Sequence, residues 1–449
     1  MKFRWETEFK ETEIGEIPRD WEVKRLGEVF DYVKGLSYKS SEINYAGNGQ
    51  IFITLDNFLR GGGFKKEFSK YYHGNKYRRE HKVYNGDLII ALTDMTSDAK
   101  VVGAPAIVNF QEKSSSGLIS LDCAKLIPKI NVSLKYYEAY LSMTQEENSR
   151  FANGVNVLHL DIKNFMDQKL IPLPSLPEQT RIATVLSWFD DLMENKKKQN
   201  EILEKMAMAI FKSWFVDFEP FQDEEFVYNE ELGREIPKGW GVRAIKEVAN
   251  ISDGVGYKNE DLDEEFDYNN FLLITLNNIL EGGGFKPEYR FLNINTDKIR
   301  EDKVVRELDI VLANKEQTKD GRLLGSPAIV FFPVYYTKSI ALFSCNNTRV
   351  VPLSEQYRFL LYLDLKINQP YVAEVFHGGT SVWYLHTKSF KDSYKIPLPP
   401  LPILQRFHSL VEPLFQKIIL NQKQIMTLRK IRDTLLPLLV FGKLRVEEI

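Results

Sequence analysis

The chain has 449 residues, enough for two to four domains at the usual ~100–200 residues each, and its ordinary apolar, Gly and Pro content excludes a disordered or collagen-like polymer. Its 59 basic and 62 acidic residues leave a formal charge of −3, so a general basic excess is excluded and any nucleic-acid contact must come from a local patch. Two widely separated cysteines, Cys123 and Cys345, exclude a disulfide framework and a four-ligand zinc site, and they fit a reducing cytoplasm.

The chain begins with acidic residues where a signal peptide would carry its apolar run. The longest apolar stretch, around Leu435–Phe441, falls far short of the ~18 residues of a membrane span, so the expected location is cytoplasmic.

Along the chain the same motifs occur twice. Glu16-Ile17-Pro18-Arg19-Asp20-Trp21 returns as Glu235-Ile236-Pro237-Lys238-Gly239-Trp240. Ile53-Thr54-Leu55-Asp56-Asn57 with Gly61-Gly62-Gly63-Phe64-Lys65 returns as Ile274-Thr275-Leu276-Asn277-Asn278 with Gly282-Gly283-Gly284-Phe285-Lys286. Val102–Val108 is echoed by Leu324–Val330, and Ile171-Pro172-Leu173-Pro174 by Ile396-Pro397-Leu398-Pro399. The preserved order over a domain-sized period reads as a tandem duplication.

Each copy has two parts. Short runs of Ile, Val, Phe and Tyr punctuated by Gly, Asn and Pro, over roughly 20–170 and 240–395, predict an α+β domain. A proline-rich stop then fixes an extended entry to a long helix. From Ile182, steps of three and four give the seam Val185, Phe189, Leu192, Lys196, Gln199, Leu203, Met206 and Ile210. The second copy gives Phe407, Leu410, Leu414, Lys417, Asn421, Gln424, Leu428, Ile431 and Leu435. Antiparallel pairing would bring Lys196/Gln199 against Asn421/Gln424 as a polar layer that fixes register. The alternative is that each seam packs on its own domain. Pro413 predicts a kink in the second helix or a later start.

The expected fold class is therefore α+β: two similar globular domains in tandem, separated by two long helices that form an antiparallel coiled coil with pseudo-two-fold symmetry. The domains are placed at 1–170 with an N-terminal arm, 171–216 helical, 217–395 linker and second domain, and 396–449 helical. About 35 helical residues make a rod of roughly 50 Å, which would act as a ruler between duplicated surfaces. Because the arm ending at Trp21 repeats the linker ending at Trp240, it should follow the distal helix as the linker follows the central one, with neighbouring chain termini.

Catalytic signatures are missing: no P-loop, H-E-x-x-H, G-x-S-x-G or Rossmann fingerprint occurs, and the six histidines lack metal-ligand spacing. The expected catalytic, cofactor-binding and metal residues are none. The triple glycines lack the Lys-Ser/Thr ending of a phosphate loop and read as tight turns. A basic stretch, Arg60, Lys65, Lys66, Lys70, Lys76, Arg78, Arg79 and Lys82, is interleaved with Phe64, Phe68, Tyr71, Tyr72 and Tyr77, the composition of a phosphate-backbone contact or of a solvated face. The second copy starts similarly at Lys286 but mixes in acids. Between matching apolar flanks, Thr93, Asp94 and Thr96 diverge from Lys315, Gln317, Thr318 and Lys319. Such side chains read base edges, so the divergence suggests two different reading heads, or else a drifting surface loop.

Ile171-Pro172-Leu173-Pro174-Ser175-Leu176-Pro177-Glu178-Gln179-Thr180-Arg181-Ile182-Ala183, with Phe211-Lys212-Ser213-Trp214-Phe215-Val216-Asp217-Phe218, closely resembles the central conserved region of specificity subunits of type I restriction–modification systems. Leu435–Leu444 resembles their distal conserved region, where Ile403-Leu404-Gln405-Arg406 stands in place of Glu178-Gln179-Thr180-Arg181. The resemblance implies a non-catalytic subunit whose two target-recognition domains each read half of a split double-stranded DNA site. It further implies helices that set the gap and dock two DNA methyltransferase subunits, with restriction subunits joining them. S-adenosylmethionine, ATP and Mg would belong to those partners. From other classes, a coiled-coil scaffold that binds only proteins and an enzyme with its active site in the variable domains are the competing readings.

Overall fold

The computed structural model describes residues 2–5, 7–96, 98–111, 114–294, 299–316, 320–380 and 382–448. They fall into two compact units, Met1–Leu192 with Leu428–Ile449, and Met193–Thr427.

The first unit is built on a four-stranded antiparallel sheet in the order Pro105–Ile107, Leu88–Ala91, Cys123–Pro128, Phe30–Lys34. A five-stranded sheet lies behind it, in the order Ile43–Asn44, Tyr71–Tyr72, Gln50–Ile53, Ser116–Ile119, Lys82–Tyr84. Leu88-Ile89-Ile90-Ala91 is apolar throughout because both faces of that strand are covered. Leu88 and Ile90 pack on the helix Leu134–Met143, whereas Ile89 and Ala91 face Ile51, Ile53 and Phe110. The tyrosines of that helix are buried with their hydroxyls satisfied: Tyr136 donates to Val440 O, Tyr137 to Pro172 O and Tyr140 to Leu170 O.

The second unit repeats this plan with the strands Pro327–Ile329, Ile310–Ala313, Asn347–Pro352 and Ala249–Asp253. Its buried strand splits the same way, Ile310 and Leu312 to one core, Val311 and Ala313 to the other.

Two helices of 40 residues, the central helix Leu176–Phe215 and the distal helix Leu401–Val440, each contribute to both units. Within each unit their segments are antiparallel. In the first, Ile182, Val185 and Leu186 share a core with Leu439 and Val440, and Arg432 reaches Asp190 at 2.8 Å. In the second, Phe215 meets Phe407 edge to face at 4.7 Å. The expected polar layer is there: Lys196 Nζ donates to Gln424 Oε1 at 2.5 Å, and Asn421 Nδ2 lies 3.3 Å from Gln199 Oε1 and 2.9 Å from Asn200 Oδ1. Asn200, absent from the predicted seam, is the buried partner of Asn421.

The seam itself needs correction. Leu192, Gln199 and Met206 are exposed, and the buried positions are Met193, Asn200 and Ala207; Leu203 and Ile210 are half-buried. The buried positions Leu186, Met193, Asn200 and Ala207 keep the heptad spacing, displaced by one residue from Val185, Leu192, Gln199 and Met206; Val185 and Leu186 are both buried, and the seam continues from Leu186. On the distal helix Leu410, Lys417 and Ile431 are exposed, and the buried neighbours are Val411, Phe415 and Ile425. There the helix also packs on its own domain, with Phe415 stacked on Phe359 at 4.8 Å, so its apolar face is broader than an a/d stripe. Pro413 does not delay the start: the helix runs through it, and its exposed position leaves the freed carbonyl to water.

The chain ends meet within the first unit. Lys2–Arg4 pairs antiparallel with Arg445–Glu448. The hairpin Phe9–Lys10/Ile17–Pro18 leads to buried Trp21, as Phe226–Asn229/Arg234–Pro237 leads to Trp240 in the second unit. Trp21 donates to Glu178 at 3.0 Å, and Arg445 bridges Glu178 and Asp20.

Candidate nucleic-acid interface

In the basic stretch of the first unit the aromatic residues are core, not stacking platforms. Phe64 and Phe68 pack toward Phe110, and Tyr72 is buried against Phe52. Tyr77 is half-buried and its hydroxyl accepts from Gln50 at 2.7 Å. The cations lie outside this layer. Lys70 pairs with Asp56 at 2.7 Å, Lys65 with Glu67 at 3.2 Å, Arg78 with Glu80 at 3.1 Å and Arg60 with Asp98. Lys66 is half-buried, and Lys82 sits 5.4 Å from the Tyr77 ring. Lys76 and Arg79 are exposed, with no carboxylate partner among the described residues.

Part of the stretch walls an open groove of about 790 Å³. One side is the end of the strand Phe30–Lys34 continuing through Gly35, Leu36 and Ser37; the other is Lys76, Tyr77, Arg78, Glu80 and His81. Burial, with the Arg78 charge adding to it, holds the His81 imidazole below its ordinary pKa despite nearby Glu80, and its Nδ1 accepts the Arg78 amide at 3.2 Å. The positive charge in this groove is therefore that of Lys34, Lys76 and Arg78.

The proposed reading loops divide into a buried clamp and an exposed tip. Thr93 is buried and donates to Asp122 at 2.8 Å. Asp94 is 1% exposed; its Oδ1 accepts the Thr96 amide at 2.7 Å and its Oδ2 the Val101 and Val102 amides at 2.7 and 3.1 Å. Burial disfavours its charge, but these hydrogen bonds outweigh that and hold its carboxyl below the usual range. Asp94 thus organises the loop from inside, a correction to its placement among base-edge readers, and Thr93 is likewise turned inward. Thr96 is exposed, its Oγ1 2.7 Å from Asp94 and 2.9 Å from Asp98.

The second unit repeats the clamp with Glu316, whose Oε2 accepts the Leu323 and Leu324 amides at 2.8 and 3.1 Å. The signal for it was an acidic residue in the same place after Ala91 and Ala313, where the two loops otherwise differ. Lys315 is exposed, Lys286 pairs with Glu288 at 2.8 Å, and Gln317, Thr318 and Lys319 lie outside the described residues.

Beside each loop runs a hairpin that the sequence reading overlooked. Thr93–Asp94 pairs with Leu158–Leu160, which pairs in turn with Ala152–Asn153; Lys315 bridges to Tyr384 of the hairpin His377–Gly378/Tyr384–Leu385. Glycines at the turns, Gly154 and Gly379, both with positive φ, were the available signal. The tips are apolar and exposed: Val155 is 97% accessible and Met95 75%.

The triple glycines are not a phosphate cradle. Gly61, Gly62 and Gly63 all donate inward, to Lys100 O, Leu59 O and Pro105 O. A Cβ on Gly62 would lie 2.2 Å from Ser142 Oγ, so the turn is glycine because it packs against the helix Leu134–Met143. On the long helices, apolar side chains outside the buried faces form exposed sets: Trp188, Leu192, Ile202 and Met206 on the central helix, Leu410, Leu420 and Ile431 on the distal one. No helix among the described residues is long and apolar enough to cross a membrane.

Comparison with known proteins agrees with this duplicated architecture. The family model described as type I restriction modification DNA specificity domain matches twice, at residues 18–205 and 237–430. The MjaIX specificity subunit of Methanocaldococcus jannaschii is 36% identical over 100% of this chain and 99% of its own length, and the MjaVIII specificity subunit of the same organism is 26% identical with the same coverage. Among solved structures, the type I restriction–modification S subunit from M. genitalium aligns over 94% of this chain and 96% of its own with a TM-score of 0.55 at 17% identity, a likeness of fold. With two matched domains that span most of its length, the chain belongs to the DNA specificity subunits of type I restriction–modification systems, which direct DNA recognition and are not the catalytic subunits.

Proposed function

We propose that each unit reads one half of a bipartite double-stranded DNA site, through the loops at Thr96 and Lys315 and the hairpins beside them. The observation that carries this reading is the contrast within one scaffold. Sheets, buried clamp and glycine turn are repeated, while the exposed residues of the loop differ between units. A scaffold that bound only protein would leave that contrast without a purpose.

The paired helices would set the unread gap between half-sites, and their exposed apolar side chains, Trp188 and Leu192, Ile202 and Met206, suit the docking of two DNA methyltransferase subunits. Restriction subunits would join that assembly in the cytoplasm. S-adenosylmethionine, ATP and Mg would be bound by those partners.

The test is a genome-wide map of adenine methylation in the source strain with and without this gene. Loss of methylation at one split motif, two short halves around an unread gap, is the expected outcome and gives both half-sites. An unchanged map in a strain whose methyltransferase subunits are expressed and active sinks the proposal.

A further inference from the structure

The two walls of the groove beside the basic stretch recur in the second unit with two of their charges reversed, while Arg78 returns as Arg300 and the place of Lys76 falls on Lys298, outside the described residues. Gly35 and Gly254 fix the equivalence: a Cβ on either would lie 2.1 Å from a carbonyl oxygen, of Ser120 in one unit and of Phe343 in the other. The residue before each glycine ends the same strand, and it is exposed Lys34 in the first unit and exposed Asp253 in the second.

The opposite wall is a short 3-10 turn after an extended arginine in both: Arg79–His81 after Arg78, and Glu301–Lys303 after Arg300. Arg79 has thus become Glu301.

Charge pairing follows the same division. In the second unit Arg300 is held by Asp302 at 3.0 Å, Arg306 by Glu301 at 2.7 Å, and Lys303 donates to the Asp253 carbonyl. In the first, Lys34, Lys76 and Arg79 have no carboxylate partner among the described residues. The segment that follows the groove strand sharpens the contrast: Ser40–Gln50 carries one acid, Glu42, whereas Asn259–Asn269 carries six, Glu260, Asp261, Asp263, Glu264, Glu265 and Asp267. Exposed cations with neither partner nor carboxylate screen are those whose transfer to a phosphate releases counterions at no internal cost, and a carboxylate in the same place repels the backbone.

We infer that the two units hold DNA unequally: the groove between Lys34 and Lys76–His81 is a phosphodiester-backbone site, and its counterpart in the second unit is not. The inference rests on the proposed reading of DNA by both units. It makes the first unit the salt-sensitive anchor, and it leaves the second to hold its half-site chiefly through contacts that salt does not weaken.

The test uses the full-length chain assembled with its own methyltransferase subunits, titrated on a labelled duplex carrying its split site and on one with both halves scrambled, over a potassium chloride series. Lys34→Ala with Lys76→Ala, the two unpaired cations that line the groove, should make the slope of log K against log[salt] shallower by about 2, near one per lost phosphate contact, on both duplexes and with the preference between them kept. Lys34→Arg with Lys76→Arg should restore the slope, which separates lost charge from damage to the fold. Asp253→Ala with Glu301→Ala should not make it shallower. An unchanged slope in the first variant, with a wild type that still prefers its split site, overturns the inference alone. A wild type without that preference overturns the reading beneath it.

Discussion

At one place in the duplicated fold the two units bury opposite kinds of group. In the first, Lys169 is 4% exposed, bonded to Glu147 at 2.8 Å and 5.6 Å from the Tyr140 ring. In the second, Asp364 occupies the Tyr140 position and Tyr394 that of Lys169; the Tyr394 hydroxyl donates to Asp364 at 2.6 Å. The equivalence is set by backbone bonds, since Lys169 O accepts from Leu26 N and Tyr394 O from Ile245 N. A second such exchange lies where the chain enters the helices. Glu178 accepts from Trp21 and Arg445 in the first unit, whereas the corresponding residue in the second is Ile403 and the Trp240 indole nitrogen has no hydrogen-bond partner among the described residues. At the Lys169/Tyr394 position the duplicated frame takes either sign of polarity because each buried ionisable group meets a partner within its own unit, whereas at the Glu178/Ile403 position losing the carboxylate leaves the neutral indole as the only described group there unsatisfied.

The largest test of that rule is to give the first unit the second's residue. Glu178→Ile strands Arg445, whose side chain is 12% exposed, with Asp20 alone and leaves Trp21 like Trp240. Breaking a buried pair by removing one partner costs about 3 kcal/mol. The loss should appear as faster amide exchange in the first unit's sheets, with the second unit's protection unchanged. Equal loss in both would show that the pair does not act within its own unit.

How much of this was legible in the sequence depends on whether the repeat carried it. The duplication, the α+β frame, the helix pair and the meeting of the chain ends followed from matched motifs, because a repeated residue signals a repeated position. Exchanges such as Tyr140 for Asp364 were invisible, since they are coherent only with their partners in space. The first unit's buried clamp was mistaken for a reader for a related reason: Asp94 and a base-reading aspartate have the same side chain, and only burial with converging amides tells them apart. The seam slipped by one residue because Val185 and Leu186 are both apolar and buried, and the sequence does not say from which of the two the heptad step continues. The overlooked hairpins carry little apolar patterning, and a glycine turn alone is weak evidence of strand pairing.

A smaller effect separates the units by pH. Burial, against hydrogen bonds from Tyr394 and Asn368, pushes the Asp364 carboxyl up from 3.8 to about 6. The folded chain therefore holds that proton more tightly than the unfolded chain, and stability falls as pH rises from 3.8 to about 6, with the penalty fully present above. Asp364→Asn keeps an acceptor for Tyr394 and removes the titration. It should flatten that part of the pH profile and stabilise the second unit at neutral pH by about 2 kcal/mol, with no gain below both pKa values. Lys169 has the opposite sign: burial lowers its pKa despite Glu147, so its contribution improves as pH rises toward the ordinary lysine range. Urea midpoints taken across both windows check the two slopes, and parallel slopes would break the comparison.

The smallest effect separates the helix segments. In the second unit they are registered by buried amides, Asn421 with Asn200, which carry no net charge. In the first the corresponding tie is ionic: Asp190 receives Arg432 at 2.8 Å and Lys135 at 3.0 Å, and all three side chains are about one-third exposed. Partly exposed pairs of this kind are worth about 0.5–1 kcal/mol and weaken as salt screens them. Asp190→Asn should therefore cost about that much at low salt and almost nothing in molar salt. Asn421→Ala leaves the buried Asn200 amide without its partner, and should cost about 1–2 kcal/mol at either salt concentration. Denaturant midpoints of both variants at the two salt concentrations decide the matter. If the two losses respond alike to salt, the charges at Asp190 do not register the helices, and the apolar contacts of Ile182 and Val185 with Leu439 and Val440 do so by themselves.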